Sequence, residues 1–353
     1  MFRVGIIGAG YIAKKHIGAF QALPECEVAV IADINREAAE KLAEEFGVKG
    51  VCTDYHDILN DASIDAITIG TPTFTHKEIA IEAIRCNKHV FCEKPVAMNA
   101  DEVRAIKAAL EASSKVFMFG MVRRHSSEIA CLKQYIDSGK MGQIICAEVV
   151  RVNAMQDQKG WFAKRSLGGG VLKDEAIHHI DELLYLMGYP KVKMVSAFES
   201  RINNDLPFKI KAASDPALAG STPPPKDVED VIKAFVTLDN GANLTIKTSS
   251  VLLTKKTGVY SEINGQKAGA ITAPWGMEHK LEIMEVTEDN CLREFAPELP
   301  DVNAMNAQMA HFVDCCQNGT ECITKIDEAI TLTQLLDAIY ESAAAGETVI
   351  VNP

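Results

Sequence analysis

The sequence of 353 residues contains no run of about 18 or more apolar residues, the length a membrane-spanning helix needs, so no transmembrane segment is expected. Aromatic residues are few, at 6%, and there is no basic excess: 48 acidic against 36 basic residues give a formal net charge of -12. That balance argues against nucleic acid or an anionic membrane as a main partner and leaves a small molecule as the expected ligand. No two of the ten cysteines form a C-x-x-C pair. Scattered thiols of this kind are expected to be reduced, mostly buried as small apolar side chains, and to hold no metal. No cleavable leader is expected either, since Met1-Phe-Arg-Val-Gly-Ile-Ile-Gly8 runs straight into a strand pattern; a cytoplasmic location is expected.

What is present has a globular composition, 47% apolar and 24% charged, and a prior of about 150 residues per domain suggests two domains. In the first third, β-branched runs at 2–8, 27–33, 65–70, 88–92 and 116–120 alternate with helical stretches near 11–21, 35–46, 74–87 and 99–114. Such alternation is the signature of βαβ units and a parallel sheet. Asn99 followed by Glu102 has the capping-box spacing. Beyond Arg123 the pattern changes to a helix at 126–139, a strand at 143–153, a helix at 175–188 and strands at 191–200, 230–238 and 243–252. Asp239-Asn240-Gly241 signals a hairpin between the last two, and Asn264-Gly265 another between 257–263 and 267–274. Helices near 303–318 and 326–345 precede a last strand at 347–351. Residues 203–227 carry no period and read as a long loop or disordered insertion. The expected fold is α/β: a dinucleotide-binding Rossmann domain over 1–122, then a substrate-binding and oligomerisation α+β domain over 123–353 with a large, mainly antiparallel sheet.

Gly8-Ala9-Gly10-Tyr11-Ile12-Ala13 is G-x-G-x-x-A between a strand and a helix, the context a dinucleotide fingerprint requires. Gly8 permits the tight turn, Gly10 lets the backbone approach a pyrophosphate, and Ala13 allows close packing, while the helix N-terminus offers N–H groups to the phosphates. Asp33 ends the next strand, 33 − 13 = 20 residues past the motif, where an acid would take the adenosine ribose hydroxyls. It would repel a 2′-phosphate, and Ile34 supplies no neighbouring cation. NAD is therefore expected in preference to NADP, with Arg36 the residue that speaks for NADP.

Glu93-Lys94-Pro95 closes the strand at 88–92 and puts a lysine at the carboxyl edge of the sheet, where open α/β folds bind ligands. A second cluster runs Gly168-Gly169-Gly170-Val-Leu-Lys-Asp174-Glu-Ala-Ile-His178-His179-Ile-Asp181. On a helix advancing about 100° per residue, His178 lies about 40° and Asp181 about −20° from Asp174, so the three share a face, whereas His179 points elsewhere. Arg123 and Arg124 follow the strand at 116–120; either is placed to meet a substrate or to pair with an acid on the sheet.

Together these motifs, with Thr71-Pro72-Thr73 and His76 after the strand at 65–70, Glu229-Asp230, and Tyr340-Glu-Ser342, resemble the family of glucose-fructose oxidoreductase, inositol dehydrogenase and MocA-type proteins. The resemblance covers essentially the whole chain. It implies that Lys94, Asp174 and His178 are catalytic, that Glu93, Thr71 and Pro72 line the nicotinamide end of the cofactor with His76 near them, and that Lys94–Pro95 is a cis peptide. Arg123 and Trp161 are further candidates for contact with substrate, together with Lys94, Asp174 and His178. Ala176 replaces the glycine usual between Asp and His, and Trp161-Phe162 replaces the Trp-Arg of some NADP-using members, which agrees with NAD.

The expected activity is hydride transfer between nicotinamide and a ring hydroxyl or ketone of a sugar, glycoside or cyclitol. An alkoxide expels hydride far more readily than an alcohol, so a base must take the hydroxyl proton; a neutral imidazole with a pKa of about 6.5 suits that task, which assigns it to His178. Asp174 orients it or holds a neighbouring hydroxyl, and cationic Lys94 stabilises charge on the substrate oxygen. Two other readings stand beside this one: redox-neutral glycoside cleavage through transient oxidation and elimination, told apart by whether NADH is released, and a non-catalytic NAD-bound sensor. A large open sheet also leads to the expectation of a homodimer or homotetramer.

Overall fold

The computed structural model describes residues 1–153, 155–202, 204–218, 220–275 and 278–351. The chain divides into two units, Met1–His125 with Val302–Thr333, and Ser126–Asp301 with Gln334–Pro353. Sequence order alone suggests one cut at 122/123; the structure returns the later segment 302–333 to the first unit.

In the first unit, β1 (Phe2–Ile7), β2 (Cys26–Ala32), β3 (Gly50–Cys52), β4 (Ala66–Ile69), β5 (His89–Cys92) and β6 (Phe117–Phe119) form a parallel sheet in the order β3-β2-β1-β4-β5-β6. Helices α1 (Tyr11–Gln21), α2 (Arg36–Phe46), α3 (His56–Asn60), α4 (His76–Arg85) and α5 (Ala100–Glu111) connect the strands. The strands are apolar on both faces, with all of Ala-Ile-Thr-Ile in β4 buried, as a sheet covered on two sides demands. Strand order reverses between β1 and β4, so the carboxyl ends of these two strands flank the switch point where such sheets take ligands. The Asn99 side chain accepts the Glu102 N–H at 3.0 Å to cap α5, while Glu102 accepts the Met98 N–H at 3.0 Å.

The second unit holds α6 (Ser127–Asp137), β7 (Ile144–Val152), α7 (Ile177–Leu186), β8 (Val192–Ser200), α8 (Leu206–Ser214), β9 (Val231–Leu238), β10 (Asn243–Ser249), β11 (Gly258–Gly265), β12 (Ala268–Trp275), β13 (Leu281–Val286) and β14 (Leu292–Phe295). After α9 (Ala304–Asn318) and α10 (Ile326–Ala345), the chain closes with β15 (Val349–Ile350). The nine strands run β14-β13-β12-β11-β7-β10-β9-β8-β15, antiparallel at every described pairing except β7 with β10. α7 lies against β7 and β11 and buries Ile177, Ile180, Leu183 and Leu184, the stripe its period marks. α9 belongs to the first unit, where Met309, Phe312 and Val313 join the core of α1 and β1.

Several expectations need correction. The segment 203–227 is not structureless: α8 forms within it, with Pro207 in the first turn, where a missing N–H costs nothing. Asn203 and Ala219 of that segment lie outside the described residues. β3, α3, β13 and β14 are additional elements. The chain turns at Gln266-Lys267, since β11 continues through Asn264 and Gly265. Of the ten free cysteines only Cys92 and Cys315 are fully buried, while Cys86 and Cys291 are exposed.

Candidate active site

The turn between β1 and α1 is shaped by two glycines with different duties. Gly8 has φ +99°, and a Cβ there would stand 2.8 Å from the Gly70 carbonyl oxygen at the end of β4. At Gly10 a Cβ would meet nothing within 4 Å, so the open side of this residue is room for an approaching group. Gly10 caps α1 without a side-chain hydrogen bond, and the first turn carries no acid. Its N–H groups therefore await an anion, which a pyrophosphate supplies. Tyr11 is exposed, Ile12 half-buried, and Ala13 buried against the sheet.

Asp33 ties this turn to the end of β2. Its Oδ2 accepts the Ala9 N–H at 2.7 Å and its Oδ1 the Asn35 N–H at 2.8 Å, leaving lone pairs for two hydroxyls. Ile34 is almost fully exposed, and Arg36 is engaged by Glu40 at 2.8 Å. These residues fit the adenosine and phosphate parts of a dinucleotide.

Lys94 is set by its neighbours. The Glu93 carboxylate is buried, with Oε1 2.9 Å from His16 Nε2, and Oε2 accepts the Lys94 N–H at 3.1 Å. Burial raises the Glu93 pKa, but the His16 hydrogen bond and the charges of His16 and Lys94 outweigh it and hold the group below the usual range. Gly120 makes room, because a Cβ there would stand 3.0 Å from Glu93 Oε1. The Lys94–Pro95 peptide is cis. His76 is buried and joins two loops, with Nε2 2.8 Å from the Thr71 carbonyl and Nδ1 2.8 Å from that of Pro95. Burial lowers its pKa against the pull of those two carbonyls. Thr71 Oγ1 and Thr75 Oγ1 are 2.7 Å apart, which steadies the loop around Pro72. The two arginines separate: Arg124 is buried and donates to the Ile323 carbonyl at 2.7 Å and to Glu328 at 2.6 Å, while Arg123 is half-buried on the short turn Val122–His125. Arg124 thus takes the structural of the two roles the sequence left open.

Asp174 and His178 lie in the second unit, both half-buried. The regular helix expected at 175–188 begins instead with a π turn, Leu172–Ala176, before α7. A π turn winds less per residue than an α turn, so the four steps from Asp174 end with His178 more nearly above it than about 40° away. Asp181, expected on the same face, is fully buried and accepts the Tyr189 hydroxyl. His179 is buried on the sheet side, its Nδ1 3.3 Å from Ser261 Oγ. Trp161 and Phe162 stack at 3.8 Å, and their carbonyls crowd Gly169, where a Cβ would stand 2.3 Å from the Phe162 oxygen.

The structure therefore gathers Gly8, Gly10, Asp33, Thr71, Pro72, His76, Glu93 and Lys94 at the strand ends of the first unit, and Asp174 and Trp161 at the glycine triplet of the second, with His178 one turn further along the helix. His16 escaped the sequence reading although it sits in the buried stripe Ala13, His16, Ile17, Phe20 of α1, an anomaly in an apolar face. Arg165, which donates to Glu199 at 2.7 Å and to Glu229 at 3.1 Å, left no signal, because nothing local marks a partner 64 residues away.

Residues 2–121 match an oxidoreductase family with an NAD-binding Rossmann fold, and residues 133–351 match that family's C-terminal alpha/beta domain. The chain is 28% identical over 355 residues to D-glucoside 3-dehydrogenase of Escherichia coli (strain K12), covering 98% of this chain and 97% of that protein. It is 27% identical over 353 residues to inositol 2-dehydrogenase of Rhizobium meliloti (strain 1021), covering 97% of each. A crystal structure of an NAD-binding protein from Listeria innocua is similar with a TM-score of 0.78 at 27% identity, over 99% of this chain and 96% of that one. Among the described residues, no helix is long and apolar enough to cross a membrane.

Proposed function

The chain belongs to the NAD-binding oxidoreductase family of glucose-fructose oxidoreductase, inositol dehydrogenase and MocA-type proteins, and from that premise we propose that it oxidises a ring hydroxyl of a sugar, glycoside or cyclitol. The observation that carries this reading is the pair Asp174 and His178, an acid and an imidazole held on one turn of a buried helix, in a chain whose other unit is the nucleotide-binding fold. The names of the relatives supply the substrate class: one acts on a D-glucoside, another on inositol.

In this reading the backbone of Gly8 to Ala13 holds the pyrophosphate, Asp33 the adenosine ribose, and Thr71, Pro72, Glu93 and Lys94 the nicotinamide end, with His76 fixing the loops that carry them. The chemistry the cofactor supplies when bound is acceptance of a hydride. His178 removes the proton from the substrate hydroxyl, and Asp174 orients the imidazole. Lys94, its backbone N–H held by Glu93, stabilises negative charge developing on the substrate oxygen. Arg123 and Trp161 are further candidates for contact with the substrate.

The test is a panel of monosaccharides, methyl glycosides and cyclitols with NAD and with NADP, followed at the nicotinamide absorbance. NADH is expected to accumulate with at least one ring polyol, and kcat/KM is expected to be at least about tenfold higher with NAD than with NADP, because Asp33 repels a 2′-phosphate. Substrate consumption without NADH release would replace net oxidation by the elimination route, and equal use of the two cofactors would remove the role given to Asp33.

A further inference from the structure

The helix bearing Asp174 and His178 starts without a side-chain cap, at Val171 or at Ala176. Its first N–H groups need acceptors from elsewhere. One comes from Glu229, just ahead of β9, whose Oε1 accepts the Leu172 N–H at 3.0 Å. The same oxygen accepts the Tyr340 hydroxyl at 3.1 Å, and Oε2 accepts from Arg165 at 3.1 Å. The Arg165 guanidinium lies 4.4 Å from the centre of the Tyr340 ring. The Glu229 side chain is wholly buried, and burial pushes its pKa up against the Leu172 N–H and the Arg165 charge. Gly170, at φ +116°, leaves the space this carboxylate fills: a Cβ there would stand 2.6 Å from Glu229 Oε1. Carboxylate and turn interlock, and a side chain at position 170 would displace the carboxylate.

A buried carboxylate is costly to keep, and an apolar side chain of like volume would fill the space at less cost. What an apolar group lacks is an acceptor for the N–H at the start of the π turn and a fixed direction for it. We propose that Glu229 is a positioning residue for the proton chemistry: by holding the Leu172 N–H between Tyr340 and Arg165, it fixes the turn that sets Asp174 and His178, two and six residues further on. This rests on the assignment of His178 as base. It adds a role for Glu229, Tyr340 and Arg165 through the start of the helix, and for Gly170, whose carbonyl accepts the Asp174 N–H at 2.9 Å.

The experiment compares Glu229→Ala, Glu229→Gln, Tyr340→Phe, His178→Ala and His178→Ala/Glu229→Ala, using the most active polyol of the panel with NAD. Glu229→Ala is expected to lower kcat roughly 10- to 100-fold with KM for NAD unchanged, the scale of a reacting group displaced by about an ångström. Glu229→Gln, which keeps an oxygen for Leu172 and Tyr340, is expected to return kcat to within about fivefold of the parent. The double variant is expected to be no slower than His178→Ala alone, because one residue acts through the other. In the protein without substrate, amide exchange in peptides covering 168–180 is expected to rise in Glu229→Ala, while peptides of β1 to α2 stay unchanged. If Glu229→Ala does not fold, Tyr340→Phe decides, with an expected loss in kcat of about three- to tenfold. Normal kcat in these variants, or losses in the double variant that multiply, would overturn the proposal. Normal turnover in His178→Ala would instead overturn the base assignment.

Discussion

The imidazoles of this chain differ in environment far more than the sequence reveals. His178 is half-buried on the helix start and is the one assigned to proton transfer, so His178→Ala is expected to cut kcat by roughly 10² to 10⁴ with little change in NAD affinity. A steady-state comparison checks this, and near-normal turnover would move the base elsewhere. His76 instead joins two loops, His16 holds Glu93 from α1, and His125 is a half-buried histidine whose pKa falls from 6.5 to about 4 through burial and the nearby His311 and Arg124. His89 is lowered to about 4 as well, by burial and Lys115. Between those pH values the unfolded chain binds protons that the folded chain refuses, so the stability they contribute is complete above pH 6.5 and is lost as pH falls toward 4. The thermal midpoint is expected to drop over that window, and His125→Asn to drop less; identical slopes would rule out this source. The candidates Asp33, Lys94, Asp174 and His178 were legible because each lies in a motif with local spacing. His16 and Arg165 were obscure because their importance lies in partners far along the chain, and Tyr340 was marked by motif alone, without its partner Glu229.

At the scale of elements, the β1–α1 turn separates two meanings of glycine. Gly8 is required by the fold, with a positive φ and the Gly70 carbonyl against it. Gly10 has an ordinary φ of −81° and open space, so only a ligand requires it. Gly10→Ala is therefore expected to melt within about 1 kcal/mol of the parent yet bind NAD at least about tenfold more weakly. Gly8→Ala is expected to lose stability and binding together. Differential scanning fluorimetry with and without NAD distinguishes them, and undiminished NAD binding by Gly10→Ala would contradict the phosphate role of this turn. The helix at Asp174 teaches the complementary lesson. Its apolar period predicted α7 correctly, but a π turn leaves no trace in a period of 3.6.

At the scale of the molecule, the large sheet has one face covered by α7 and one exposed. Met194, Thr237, Asn243, Cys146, Asn264, Gly269 and Met284 form a single row across it, and Phe198 and Phe235 stand out from neighbouring rows, Phe198 59% and Phe235 49% exposed. Apolar side chains on an open sheet face suit a second copy of the chain, so a dimer or tetramer is expected in solution. Light scattering at micromolar concentration checks it, and a mass of 38.4 kDa would refute it. By itself the sequence determined the alternation of strand and helix, the nucleotide fingerprint and the family, because these depend on residue type at short spacing. The tertiary structure alone decided that 302–333 joins the first unit, that Arg124 is spent on Glu328 and Ile323, and that Glu229 holds the start of the Asp174 helix. Each of these pairs groups tens to hundreds of residues apart, and no local period records which distant acceptor a buried donor finds.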